Sequence, residues 1–337
     1  MMLLQQRIFL LTLAIFISLH CLLAQKVKLL STGTNTSIRG LSVVNDRVIW
    51  VSGSNGMVGR SIDSGASFRW ASVKGFEKAD FRDIEAFDEH SAVIMAIATP
   101  AYILRTDDGG INWKIVYENH YEGMFLDAMD FFNNKDGIVI GDPIEGKFFM
   151  ARSLDAGRSW KDLSVNDLPI ADSGEACFAS SGTNIRMLNK KEAVFVSGGL
   201  QSNIFTQYKK SLLPVIQGKE STGANSIAVK NRQIYIVAGG DFSSRDSINN
   251  NCFITRDAGK TWRPPVISPH GYRSCVEYLK QDIWISCGLN GVDLSEDEGN
   301  RWKLISDESF HVCRKAKKGE AVFMAGGGGR IGKLLLQ

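Results

Sequence analysis

The chain has 337 residues, 44% of them hydrophobic and 22% charged, with a formal net charge of +3. That near-neutral balance argues against nucleic acid as a partner, which calls for a strong basic surplus. No stretch has the composition of a disordered tail or low-complexity linker.

Arg7 opens the sequence's first feature, an apolar run over residues 8–23 followed by Ala24 and Gln25. This reads as a secretory signal peptide over residues 1–24, cleaved after Ala24, with export to the periplasm or beyond. A retained membrane anchor is the alternative, but the run is short for a span and contains His20. His20 also stands where a small residue is expected before a lipid-bearing Cys21. No later segment could cross a bilayer. Residues 25–337 then form one domain, beginning with a strand at residues 26–30.

Next comes a run of short apolar segments closed by glycine, such as Trp50-Val51-Ser52-Gly53, Phe195-Val196-Ser197-Gly198 and Ile283-Trp284-Ile285-Ser286. Their β-branched and aromatic content marks them as strands. Between them a pattern recurs five times, Ser/Thr-x-Asp-x-Gly-x-x-aromatic. The copies start at Ser61, Thr106, Ser153, Thr255 and Ser295 and end at Phe68, Trp113, Trp160, Trp262 and Trp302. An aspartate that accepts turn N–H groups, a glycine free to take positive φ and a ring that packs into a core together favour a β-turn between strands. The turns lack the 12-residue loop and closing Glu of a calcium-binding EF-hand.

The pattern resembles the Asp-box, or bacterial neuraminidase repeat. Its aspartates are 45, 47, 102 and 40 residues apart, so one unit, ending near Ser202–Tyr208, lacks its box. A further unit without a box follows the fifth copy, which makes seven. Repeats of this length build solenoids or propellers. The expected fold is all-β, a seven-bladed β-propeller of four-stranded antiparallel blades with Asp-box turns. The last unit is one strand short, and residues 26–30 are expected to supply that strand and close the ring.

Binding residues belong on the face opposite the box turns, where the loops are irregular. Three loops stand out: residues 117–122 with Tyr121, residues 161–183 with Asp172, Glu175 and Cys177, and residues 239–251. Five inner strands begin with a basic residue: Arg39, Arg82, Arg186, Arg273 and His311. If these ring one mouth of the channel, their guanidinium groups suit a carboxylate or phosphate. The alternative is internal pairing with Asp83, Asp127 or Asp142. The candidate ligand-binding set is therefore Arg39, Arg82, Arg186, Arg273, His311, Tyr121, Asp142 and Glu175. No catalytic, cofactor or metal residue is assigned.

Gly327-x-Gly329-x-x-Gly332 spells a dinucleotide fingerprint, but the sequence ends five residues later with no helix to follow it. The glycines at Gly141 and Gly146 lack phosphate-loop spacing. Five cysteines follow the leader, none in a C-x-x-C pair. Cys275 and Cys287 fall on consecutive strands and either form a disulfide or stand as two buried thiols.

Two family resemblances follow. Asp-boxes with an arginine cluster resemble sialidases, but the Phe/Tyr-Arg-Ile-Pro string is absent, with Phe81-Arg82-Asp83-Ile84 and Tyr272-Arg273-Ser274-Cys275 nearest to it. Over residues 25–337 the chain is more similar to the photosystem II assembly-factor propellers and their exported bacterial relatives. That likeness rests on strand-Gly-x-x-Gly-strand units such as Val51-Ser52-Gly53-Ser54-Asn55-Gly56-Met57, on Gly141-Asp142-Pro143-Ile144-Glu145-Gly146, and on Glu175-Ala176-Cys177-Phe178-Ala179-Ser180-Ser181-Gly182. It implies an exported, non-enzymatic scaffold for a protein or peptide partner with an acidic segment or free carboxylate. Relatives are often labelled oxidoreductases, but no cofactor motif here supports that. The alternative function is a glycosidase or lyase on an anionic glycan, with Asp142, Glu145 and Glu175 as candidate carboxylates.

Overall fold

The computed structural model describes residues 26–31, 34–206 and 209–335; the expected leader, Gln207, Tyr208 and the last two residues lie outside it. Seven antiparallel sheets are arranged as the blades of a propeller. The inner strands are Ile38–Val43, Phe81–Ala86, Leu126–Phe131, Ile185–Met187, Thr222–Val229, Cys275–Lys280 and Val312–Lys315, for blades 1 to 7.

Blade 7 is completed as the sequence suggests. Strand Lys26–Ser31 pairs antiparallel with Ile331–Leu335, so the strand at the start of the described chain is the outermost strand of the last blade. This covers a sheet edge and latches the ring. Blade 5 departs from four regular strands. Its outermost strand shrinks to a bridge in which Ile254 and Arg263 exchange N–H···O bonds of 2.9 Å. Two short strands, Glu175–Ala176 and Gly198–Gly199, add to its inner edge instead.

Each repeat turn joins the third strand of a blade to the fourth. In blade 3, the Ser153 hydroxyl accepts the Gly157 N–H at 2.8 Å and donates to Asp155 Oδ1 at 2.9 Å. The same carboxylate oxygen accepts the Ser159 N–H at 2.9 Å. The other four turns repeat the hydroxyl–glycine bond at 2.9 to 3.0 Å. Gly157 has φ 74, a region glycine enters without strain. Hydrogen bonds hold Asp63, Asp108 and Asp257 at a pKa of about 2, led by Ser67, the Asn112 N–H and Thr261 respectively.

Apolar side chains from facing sheets fill the clefts between blades. Phe68, Trp113, Trp160, Trp262 and Trp302, the rings of the repeat turns, join these clusters. Among the described residues, no helix is long and apolar enough to cross a membrane.

Cys275 and Cys287 lie directly opposite each other on paired strands, both fully buried. They stand as thiols rather than a disulfide, and Cys313 joins them, its Sγ 3.6 Å from that of Cys275.

Candidate ligand-binding mouth

The inner strands start on the face opposite the repeat turns, and there the sheets are irregular. In blades 1, 2, 3 and 5 the ladder skips one residue: Arg39, Arg82, Asp127 and Asn225. A bulge of this kind re-aims one side chain. Here it turns Arg39, Arg82 and Asn225 toward the channel, where they line a cavity of roughly 500 Å³, while Asp127 stays buried. Ser274 and His311 line it as well from blades 6 and 7.

The channel is not open through the ring. Residues 177–183 follow the short strand Glu175–Ala176, cross the axis and plug it. Arg39 Nη1 donates to Ser180 O at 3.1 Å, and Arg314 Nη2 from blade 7 donates to Gly182 O at 3.0 Å. Ser181 Oγ donates to Ser274 O at 2.7 Å, and the Ile227 N–H donates to Thr183 O at 2.9 Å. With Arg82 of blade 2 on Ala179 O, the plug thus touches blades 1, 2, 5, 6 and 7. Gly182 is required: it has φ 63, and a Cβ there would lie 2.3 Å from the Asp83 carboxyl carbon. The cavity is the cup that remains above this floor.

Arg39 forms no ion pair with any described residue, and the plug carbonyl occupies only one of its arms. Arg82 holds Asp80 at 2.9 Å and reaches Ala179 O at 3.5 Å. Burial and the Arg82 charge weaken Arg39's hold on its proton, a mark of two guanidinium groups confined together. His311 is neutral near pH 7, because burial and then Arg39 bring its pKa down to about 4. Its Nδ1 lies 2.9 Å from Ile38 O.

Asp142 accepts the Cys177 N–H at 2.9 Å and lines the cup, and burial raises its pKa to about 6. Asp127 is fully buried with neither oxygen in a hydrogen bond of normal geometry, and burial followed by the Asp142 charge holds its carboxyl far above the usual range. One wall is aromatic. Phe178 meets Phe242 at 5.9 Å and Phe242 meets Tyr272 at 6.3 Å, both edge-on. The Tyr272 hydroxyl donates to Asn225 at 2.8 Å. The cup therefore offers two guanidinium groups beside an apolar aromatic wall, which suits an anionic group on an apolar stem.

Four of the eight sequence candidates meet here: Arg39, Arg82, His311 and Asp142. The other four do not. Cys275, where pairing begins in blade 6, matches Gly40, where pairing resumes after the bulge in blade 1, so Ser274 holds the place of Arg39 and Arg273 falls one residue early. Arg273 is wholly buried, with its guanidinium on Asp293, Asn290 and Tyr272 O. Arg186 lies toward the opposite mouth, paired with Glu277 at 3.3 Å beside Arg314. Tyr121 is exposed at the rim, its hydroxyl 2.8 Å from Glu145. Glu175 is buried and anchors the plug's approach, accepting from Asn203 at 2.9 Å and the Asp172 N–H at 2.7 Å. Of the residues expected in a loop at 117–122, the first three belong to the outer strand Lys114–Asn119 of blade 2.

Sequence reasoning missed Asn225, the Phe178–Phe242 wall and the plug. The small-residue string Ser180-Ser181-Gly182-Thr183 was the available signal, since only small side chains let a backbone pass through so narrow a space.

No family model matches this sequence, and no curated protein matches it. Solved propellers do. A structure described as YCF48 bound to D1 peptide superposes with a TM-score of 0.64 at 14% identity, covering 93% of this chain and 97% of that one. YCF48 from Cyanidioschyzon merolae gives 0.62 at 14% identity, covering 92% and 98%. The Neurospora crassa Pan2 WD40 domain gives 0.59 at 12%, covering 89% of each. At these identities the likeness is one of fold.

Proposed function

We propose that this protein is an exported, non-enzymatic propeller that binds a protein or peptide partner at the Arg39–Arg82 cup, in the assembly of an envelope complex. The observation that carries this reading is Arg39, a confined guanidinium at the edge of a cup with no acidic partner among the described residues. The ligand is an acidic segment or a C-terminal carboxylate, held by Arg39 and Arg82 with its neighbouring side chain on the Phe178–Phe242 wall. The fold shared with a peptide-bound YCF48 supports a peptide ligand, and the sequence resemblance to the photosystem II assembly factors points the same way. Export rests on the leader-like residues 1–24 and Asp-box ancestry on the repeat turns.

The glycosidase alternative has less support. It needs two carboxylates and an aromatic facing one substrate. Among the described residues Asp142 is the one acid that lines the cup, while Asp127 is sealed behind it and the Tyr272 hydroxyl is engaged by Asn225.

The test is capture of partners from a native envelope extract by wild-type protein and by Arg39→Ala/Arg82→Ala of matched thermal stability. Partners held only by wild-type support the reading. Identical capture by both proteins places the site elsewhere.

A further inference from the structure

Three of the five described cysteines meet in the core. Cys275 and Cys287 face each other across the first two strands of blade 6, and Cys313 comes from the inner strand of blade 7. Their Sγ atoms all lie within 4.8 Å of one another, and those of Cys275 and Cys313 stand at 3.6 Å. Three thiolates around one ion, with metal–sulfur bonds of about 2.3 Å, are about 4 Å apart. The group therefore needs little movement to close on a metal. Cys177 and Cys252 sit apart, in other clusters.

The donors suit a soft ion. All three cysteines are fully buried, in an apolar cluster that also holds Met324. Met324 is the partner of Cys313 across two strands of blade 7, so its thioether side chain leaves the same face of the sheet. Among the described residues no imidazole or carboxylate joins the group. Thiolate and thioether sulfur select copper(I), whereas structural zinc takes four donors from thiolate and imidazole. The Cys313 N–H donates to Cys275 Sγ at 3.4 Å, and hydrogen bonds of this kind tune a metal-bound sulfur.

The place in the ring matters too. A repeat turn closes the cleft to the preceding blade: a Cβ on Gly299 of blade 6 would lie 2.3 Å from Ile236 of blade 5. Blade 7 has no such turn, because its third and fourth strands, Ile331–Leu335 and Lys26–Ser31, come from opposite ends of the described chain. The cysteines reach across the cleft between blades 6 and 7 from both sides.

We propose that Cys275, Cys287 and Cys313 bind one copper(I) ion that ties blade 6 to blade 7. The ion enters as copper(I) and transfers no electron, and each thiol that binds it releases its proton to solvent. Because the sulfurs are sealed in the core, the ion is taken up on folding and its binding adds to stability.

The test uses full-length protein produced in cells grown with added copper and isolated under argon. Wild-type should carry about one copper per chain, with a sulfur-only coordination shell by X-ray absorption. It should unfold at least about 5 °C above protein from cells grown with a copper(I) chelator. Cys275→Ala, Cys287→Ala and Cys313→Ala should each lower the copper content about tenfold or more, while Cys177→Ala and Cys252→Ala, outside the group, should keep it. Wild-type that folds without copper, zinc in its place, or a nitrogen or oxygen shell overturns the proposal, whatever the variants do. A disulfide among the three cysteines in wild-type isolated from the copper-grown cells overturns it as well.

Discussion

Arg39 and Arg273 show how one place in a strand decides a side chain's chemistry. At a bulge, Arg39 opens into the cup. One position early, Arg273 is enclosed and fully hydrogen-bonded. The Arg39→Ala change should therefore leave thermal stability within a few degrees of wild-type while weakening ligand binding. Arg273→Ala should do the reverse, costing about 3–5 kcal/mol in chemical denaturation by leaving Asp293 buried and unpaired. The cup's ionisable groups also leave a mark on stability. Burial raises Asp142 to about 6, so the folded state holds a proton there that the unfolded chain has released, and stability from this group falls as pH rises from 4 through 6. His311, lowered to about 4, acts in the opposite direction between pH 4 and 6.5. Comparing wild-type with Asp142→Asn isolates the first effect. Their unfolding free energies should diverge in favour of the variant by up to about 3 kcal/mol between pH 4 and 7. A constant difference would mean that Asp142 titrates normally.

At the level of elements, the repeat turn acts through its hydroxyl residue. Thr106 is buried, accepts the Gly110 N–H at 3.0 Å and donates to Asp108 at 2.8 Å. Thr106→Val keeps the shape, removes both bonds and should cost about 1–3 kcal/mol in denaturant unfolding. The plug is less tolerant: Gly182→Ala meets both positive φ and the Asp83 carboxyl, and should lower stability by more than the turn variant does. The turns and strands were legible in the sequence because they depend on local chemistry, repeated often enough to be counted. The plug was not. Its partners include residues of blades 1, 2, 5, 6 and 7, and no local periodicity encodes a segment that crosses the axis. Arg186 and Arg273 were misplaced because the apolar pattern marks a strand without fixing which residue stands at the cup: Arg186 is a paired residue within its strand, and Arg273 falls one position before Ser274.

The whole molecule is a ring closed by pairing strand Lys26–Ser31 with Ile331–Leu335. Closure makes each inner strand a neighbour of two others and fixes the distances across the cup. The sequence showed this closure directly, as a missing strand at one end and a spare strand at the other. Because the plug floors the channel, the cup opens on one side, and a ligand held there as proposed would enter and leave by the same mouth. Arg39 and Arg82 stand on adjacent blades, so their spacing is set by the ring and not by a flexible loop. The most direct test is a binding comparison between a random hexapeptide library with free C-termini and the same library amidated, using wild-type protein and Arg39→Ala/Arg82→Ala. Preferential retention of the free-acid library by wild-type, lost in the variant, is the expected result. Equal retention of both libraries, or retention unchanged by the arginine substitutions, would show that the cup does not hold an anionic peptide end.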